Sequence, residues 1–183
     1  LLKEDHYNPV LEARSYALKT IMNATYGYFA FFGARWYSRE CAEAITAFGR
    51  KYIQDVIKEA QDSKFEVIYS DTDSIFMTLG EKSKKDSLEF LDRINDKLPG
   101  LMELELENFY TRAIFVMKKS EMTGAKKKYA LISEDGKIKV RGFETIRRDW
   151  SQIAREVQKE VLNFLLRENS PEKALAYVRE IIN

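Results

Sequence analysis

Two short strand-like runs, residues 65–69 and 74–79, lie near the middle of the chain with Asp71-Thr72-Asp73 between them. A link this short permits only an antiparallel hairpin, because parallel strands need a crossover of a dozen or more residues. Helical patterns flank the hairpin. Asn8-Pro9 reads as an N-cap with proline at the first helical position. Val10, Ala13, Ala17, Leu18 and Ile21 then recur at helical spacing, which predicts a helix to about Asn23 with a break at Tyr26-Gly27. Ser38 is placed to cap a second helix with a stripe of Ala42, Ile45, Phe48, Tyr52, Val56 and Ile57, fading near Asp62-Ser63.

Beyond the hairpin, a charged helix is expected over 87–98, ended by Pro99-Gly100. Residues 102–109 alternate as a half-buried strand would, and 114–117 and 129–133 are expected to extend the sheet. Glu134-Asp135-Gly136 turns the chain into a strand over 137–140. Past Asp149 the period is helical again, with Trp150, Ile153, Val157, Val161, Phe164 and Leu165 on one stripe, and Ser170-Pro171 opens a last helix. The expected class is α+β, an antiparallel sheet with helices on one face. A boundary near Arg148 would separate this mixed body from a helical appendage.

The totals exclude several functions. Cys41 is the one cysteine and His6 the one histidine. No internal disulfide can form, which fits a reducing, cytoplasmic setting. A Ser-His-Asp or Cys-His nucleophile site is equally disfavoured. No apolar run approaches the roughly 20 residues that span a bilayer, so no membrane partner is expected. The first residue is not Met and no secretory pattern opens the chain, which suggests a fragment or processed product. Lys and Arg total 30 against 29 Asp and Glu, yet the charges are unevenly spread. Eight acids face five bases over 81–108, whereas eleven bases face five acids over 110–150. A basic segment on a near-neutral chain is the electrostatic footprint of a polyanion partner.

Two constellations carry chemistry. Alternation places Asp71 and Asp73 on one side near the hairpin tip. Two neighbouring carboxylates repel unless a cation lies between them, and hard ions such as Mg²⁺ prefer carboxylate oxygen. Read alone, an Asp-Thr-Asp is an acidic turn bonded to its own backbone. On the first helix, Lys19, Asn23, Tyr26 and Gly27 follow at i, i+4, i+7 and i+8, with Arg14 upstream. A cation and an amide on one face can meet a phosphate and a sugar, and a tyrosine offers a flat surface to a base. Read alone, they are a solvated lysine and an ordinary helix stop.

Together the motifs resemble family B DNA polymerases. The run Arg14-Ser15-Tyr16-Ala17-Leu18-Lys19-Thr20-Ile21-Met22-Asn23-Ala24-Thr25-Tyr26-Gly27 resembles that family's fingers-helix signature. Ala34-Arg35-Trp36-Tyr37 and Glu40-Cys41-Ala42-Glu43 look like the archaeal continuation, and Tyr69 to Ser74 resembles the palm signature Tyr-x-Asp-Thr-Asp-Ser. Lys126-Lys127-Lys128-Tyr129-Ala130 is similar to the primer-template contact motif. Arg141-Gly142-Phe143-Glu144 through Arg147-Arg148-Asp149-Trp150-Ser151 is similar to the palm-to-thumb junction.

The resemblance implies residues 1–27 as the end of a fingers helix, 28–148 as palm and 149–183 as a partial thumb. It implies two-metal nucleotidyl transfer with Mg²⁺ on Asp71 and Asp73, and dNTP binding by Lys19, Asn23, Tyr26 and Gly27, with a lesser part for Arg14. Primer-template DNA would be gripped by Lys126, Lys127 and Tyr129, aided by Arg141, Arg147 and Arg148, at the nucleoid.

Some features depart from the family pattern. Asn23 is followed by Ala24-Thr25 where serine is usual, and Ser120 to Ala125 lengthen the lysine-bearing hairpin, so Lys118-Lys119 compete with Lys126-Lys127 for the DNA-gripping role. An Asp-x-x-Ser-Leu-Tyr-Pro strand, source of a further catalytic aspartate in the family, is not among these residues. The expected partner is therefore a larger polypeptide bearing that strand and an exonuclease, as in a naturally split archaeal enzyme, with the isolated chain inactive. A palm-derived clamp that binds duplex without catalysis is the alternative. A metal-dependent nuclease drawing on Glu103, Glu105 and Glu107 is a more distant one.

Overall fold

The computed structural model describes residues 8–117, 124–146 and 149–182. The chain forms two compact units, Leu1–Thr78 and Leu79–Asn183.

The first unit opens with α1 (Pro9–Ala30), whose cap is Asn8: its side-chain oxygen accepts from the amides of Val10 and Leu11 at 3.0 and 3.3 Å. The helix does not stop at Tyr26-Gly27 as the sequence suggested. A lone glycine costs a helix only about 1 kcal/mol, too little to break one already about five turns long. Termination comes instead at Phe31, which is extended and returns its amide to the Tyr28 carbonyl. No residue of α1 is buried. Helix α2 (Arg39–Asp62) starts where expected, with the Ser38 hydroxyl accepting from the Cys41 amide at 3.2 Å. Ala42, Val56 and Ala60 on α2 are buried, as is Phe65 beyond its end, while Ile45 and Phe48 of the predicted stripe stay exposed. Strands β1 (Glu66–Asp71) and β2 (Ser74–Thr78) pair antiparallel and pack on α2.

The second unit starts with α3 (Lys84–Asn95), earlier than the periodicity indicated. Ser83 and Asp86 form a capping box that fixes the start: the Ser83 hydroxyl accepts from the Asp86 amide, and the Asp86 carboxylate accepts from the Ser83 amide at 2.7 Å. Residues 102–109 alternate in sequence but form no strand. The Asn95 side chain takes the place of a neighbouring strand, donating to the Leu104 carbonyl at 3.0 Å and accepting from its amide at 2.8 Å. Strands β3 (Tyr110–Met117), β4 (Gly124–Ser133) and β5 (Ile138–Arg141) make an antiparallel sheet in the order β3-β4-β5. The α+β reading holds, with the described strands in two small sheets, one per unit, where a single extended sheet was expected.

A 3-10 helix, Glu144–Ile146, leads to α4 (Gln152–Leu166) and α5 (Pro171–Ile182). Ala130, Ile132, Phe143, Leu162 and Leu166 make the core, flanked by Ile114, Val116, Ile138 and Val140. The buried line of α4 is thus Leu162 and Leu166, whereas Trp150 and Ile153 of the predicted stripe are exposed. Arg112 secures the helix end, donating to the carbonyls of Leu166 and Arg167 at 2.9 and 3.0 Å. Among the described residues no helix is long and apolar enough to cross a membrane.

One glycine is required by packing. Gly142, at φ +68, lies so close to β4 that a Cβ there would sit 2.0 Å from the Lys127 carbonyl oxygen. Gly142→Ala combines a disfavoured left-handed backbone with a backbone clash, and a loss of about 2–4 kcal/mol is expected in urea unfolding.

Candidate functional site

At the tip of the first hairpin Asp71 pairs with Ser74, leaving Thr72 and Asp73 as the two-residue loop. Thr72 adopts the left-handed conformation such a loop demands, φ +48. The Asp73 amide and the Ser74 hydroxyl both donate to the main-chain carbonyl of Asp71, the latter at 3.2 Å. Thr72 donates its hydroxyl to the Asp71 carboxylate at 3.1 Å. The amide that could have closed an Asx turn on the Asp71 side chain therefore serves the carbonyl instead. Further down, the register shifts between Val67 and Tyr69, a bulge that leaves Tyr69 and Asp71 on the half-buried side of β1. The Tyr69 and Phe76 rings, 5.9 Å apart, brace the tip from below.

Asp71 is half-buried and Asp73 exposed. Two hard carboxylates one residue apart are a donor set that fits Mg²⁺, which takes one or two carboxylates and completes its shell with waters and phosphate oxygens. Among the described residues no cluster of three or more His, Cys, Asp or Glu side chains could hold a metal.

Because α1 is continuous, Lys19, Asn23, Tyr26 and Gly27 share one face of an unbroken helix. Arg14 lies five residues before Lys19, roughly 140° round the axis, and is not brought to that face. Tyr26 borders a shallow hollow of about 220 Å³ between α1 and α2, lined also by Tyr37, Arg39 and Glu43. The space where a Gly27 side chain would sit is open.

In the second unit the lysine run is ejected from its ladder. Met117 pairs with Gly124, yet Phe115 pairs with Tyr129, so residues 125–128 stand opposite Val116 alone. Lys127 takes up the excess with a left-handed backbone, φ +61, and is exposed. Tyr129 returns to the ladder between Phe115, whose ring is 5.8 Å away, and the exposed Arg141. Lys126 enters β4, its side chain lying outside the described residues, as do Lys118, Lys119, Arg147 and Arg148.

Sequence reasoning passed over the residues beneath this run. Lys128 places its ammonium 2.6 Å from one Glu144 oxygen and 5.2 Å from the Phe143 ring centre. The Gln158 side-chain amide donates to the other Glu144 oxygen at 2.6 Å and accepts from the Thr145 amide at 2.9 Å. The Lys128 hydrogen bond, then that of Gln158, hold the Glu144 carboxyl down at about 2 from its ordinary 4.5. The available signal was a lone glutamate two residues after a glycine within a basic stretch.

The molecule is therefore an α+β protein with a carboxylate-bearing hairpin in one unit and an ejected basic strand in the other. Sequence comparison gives that architecture a family: residues 2–183 match the family described as DNA polymerase family B, and the chain belongs to it. It is 47% identical over 177 residues to a DNA polymerase of Pyrococcus glycovorans, covering 94% of this chain and 22% of that protein. The figures are the same for a DNA polymerase of Thermococcus gorgonarius. A DNA polymerase of Thermococcus kodakarensis is 51% identical over 164 residues, covering 87% of this chain and 9% of its own length. The chain spans about a fifth or less of these relatives.

Two outcomes are expected. Gly27→Ala should raise stability by about 1 kcal/mol in urea unfolding, since the site is helical and open. Glu144 titrates lower folded than unfolded, so its contribution is complete above pH 4.5 and lost as pH falls through about 2. Over that window acid unfolding should erode the stability difference between the unaltered chain and Glu144→Gln.

Proposed function

We propose that this chain is the palm part of a template-directed DNA polymerase that adds dNTPs to a primer 3′ end. The observation that carries this reading is the two-residue hairpin tip bearing Asp71 and Asp73 in a chain of this family. In this reading residues 1–27 end a fingers helix, 28–148 are palm and 149–183 begin the thumb.

Each residue then has a task. Lys19 meets the triphosphate of the incoming dNTP as a point charge. Asn23 lies by the sugar, Tyr26 packs beside the nascent base pair, and Gly27 leaves room for it; Arg14, on another face, contributes only long-range charge. Asp73 is the main Mg²⁺ ligand with Asp71 beside it. Two such ions, when bound, supply activation of the primer 3′-oxygen and charge neutralisation at the departing pyrophosphate. The exposed Lys127, with Lys126 and Tyr129, grips the duplex backbone in a salt-sensitive contact independent of sequence, and Arg141, Arg147 and Arg148 add positive charge. A further carboxylate comes from polypeptide beyond these 183 residues, contiguous or separate, which also carries the exonuclease. The working place is the nucleoid in the cytoplasm.

Mixing the chain with a polypeptide that bears the further aspartate and measuring Mg²⁺-dependent primer extension tests the reading. Extension should need both, and Asp73→Ala should lower it by about a thousandfold or more, the loss of several kcal/mol of charge stabilisation. Unchanged extension after Asp73→Ala would refute catalysis here and leave duplex binding as the function.

A further inference from the structure

Side-chain geometry separates neighbours in the lysine run. Lys127 is exposed on a left-handed backbone. Lys128 turns inward, its side chain 28% exposed and its ammonium 2.6 Å from a Glu144 carboxylate that is 19% exposed. That carboxylate also accepts from Gln158 of α4, which in turn accepts from the Thr145 amide of the 3-10 helix. A single carboxylate thus ties β4, the 3-10 helix and α4 together, next to the residue whose backbone departs from the ladder. Gly142, two residues before Glu144, lies against the Lys127 carbonyl and closes the other side of the same bend.

A phosphate approaching Lys128 would have to displace a bound carboxylate and would leave Glu144 partly buried without its cation. Removing one member of such a pair is costly, so the pair is a poor phosphate site and a firm anchor. We infer that Lys128 is a positioning residue. Its ion pair with Glu144, steadied by Gln158, fixes the left-handed bend at Lys127 and aims Lys127 and Tyr129 at the backbone of bound duplex. The inference rests on the duplex-gripping reading above and adds a division of labour within the lysine run.

Binding of the 183-residue chain to duplex DNA with a recessed 3′ end, measured across a salt series, separates the roles. Lys127→Met should lower the slope of log affinity on log salt by about one, as loss of a phosphate contact does. Lys128→Met should weaken binding by about threefold or more, and should take nothing further off the slope once Lys127 is already Met. Glu144→Gln should do the same, and the double variant should be no worse than either single one. In the Lys128→Met background, Lys127→Met should cost less than in the unaltered chain, a change that a purely stabilising role would not produce. Lys128→Arg, which keeps the charge, should restore binding. If Lys128→Met does not fold, Glu144→Gln serves as the background for the same comparison. A further drop of about one in the slope when Lys128→Met is added to Lys127→Met, or an equal cost of Lys127→Met in both backgrounds, overturns the inference. If the unaltered chain does not bind the duplex, or binds it with no dependence on Lys127, the duplex-gripping reading fails first and takes the inference with it.

Discussion

Antiparallel pairing across very short turns is the constraint on which both units rest. Between β1 and β2 only Thr72 and Asp73 are unpaired, and Thr72 must go left-handed to close the loop. Between β4 and β5 the turn is held by the Asp135 carboxylate, which accepts from the Ser133 hydroxyl and the Lys137 amide, with Gly136 at φ +79. Such turns fix the register of the residues next to them, and register decides which side chains face the core. Carboxylates at one tip and a tyrosine beside the other bend are placed by backbone geometry before any partner arrives. Preorganisation of this kind lets polar groups act without reordering.

Charge is handled differently at the two places. At the hairpin tip the Asp73 amide and the Ser74 hydroxyl donate to the Asp71 carbonyl, and the aspartates carry their charge where β1 ends. In the lysine run one positive charge is matched by Glu144 and its neighbour is exposed. An ion pair that is mostly buried and further hydrogen-bonded holds geometry more firmly than surface pairs such as Arg39 with Glu43, which is over half exposed on both sides.

Much of this was legible in the residues. The caps at Asn8 and Ser38, the hairpin around Asp71 to Ser74 and the turn at Gly136 follow from local chemistry, because each signal acts within a few residues. Misreadings arose where a distant group decided. Residues 102–109 alternate like a strand, but the Asn95 side chain holds Leu104. Gly27 looked like a stop because glycine commonly ends helices, yet the helix runs on to where Phe31 turns extended. On α4, period alone cannot distinguish the line of Val157 and Val161 from that of Leu162 and Leu166; the sheet selects the latter. The tie from Lys128 to Glu144 and Gln158 spans 30 residues and three elements, beyond any local pattern.

The mismatch in β4, where residues 125–128 stand against Val116 alone, also shields the sheet from changes in length. A residue gained or lost in a regular strand would swap its inward and outward faces all along the ladder. Here the slack is gathered in one place, and Tyr129 onward keeps step with β3 and β5 whatever happens upstream. One residue more or less in that slack would leave Ala130, Leu131 and Ile132 in the interior.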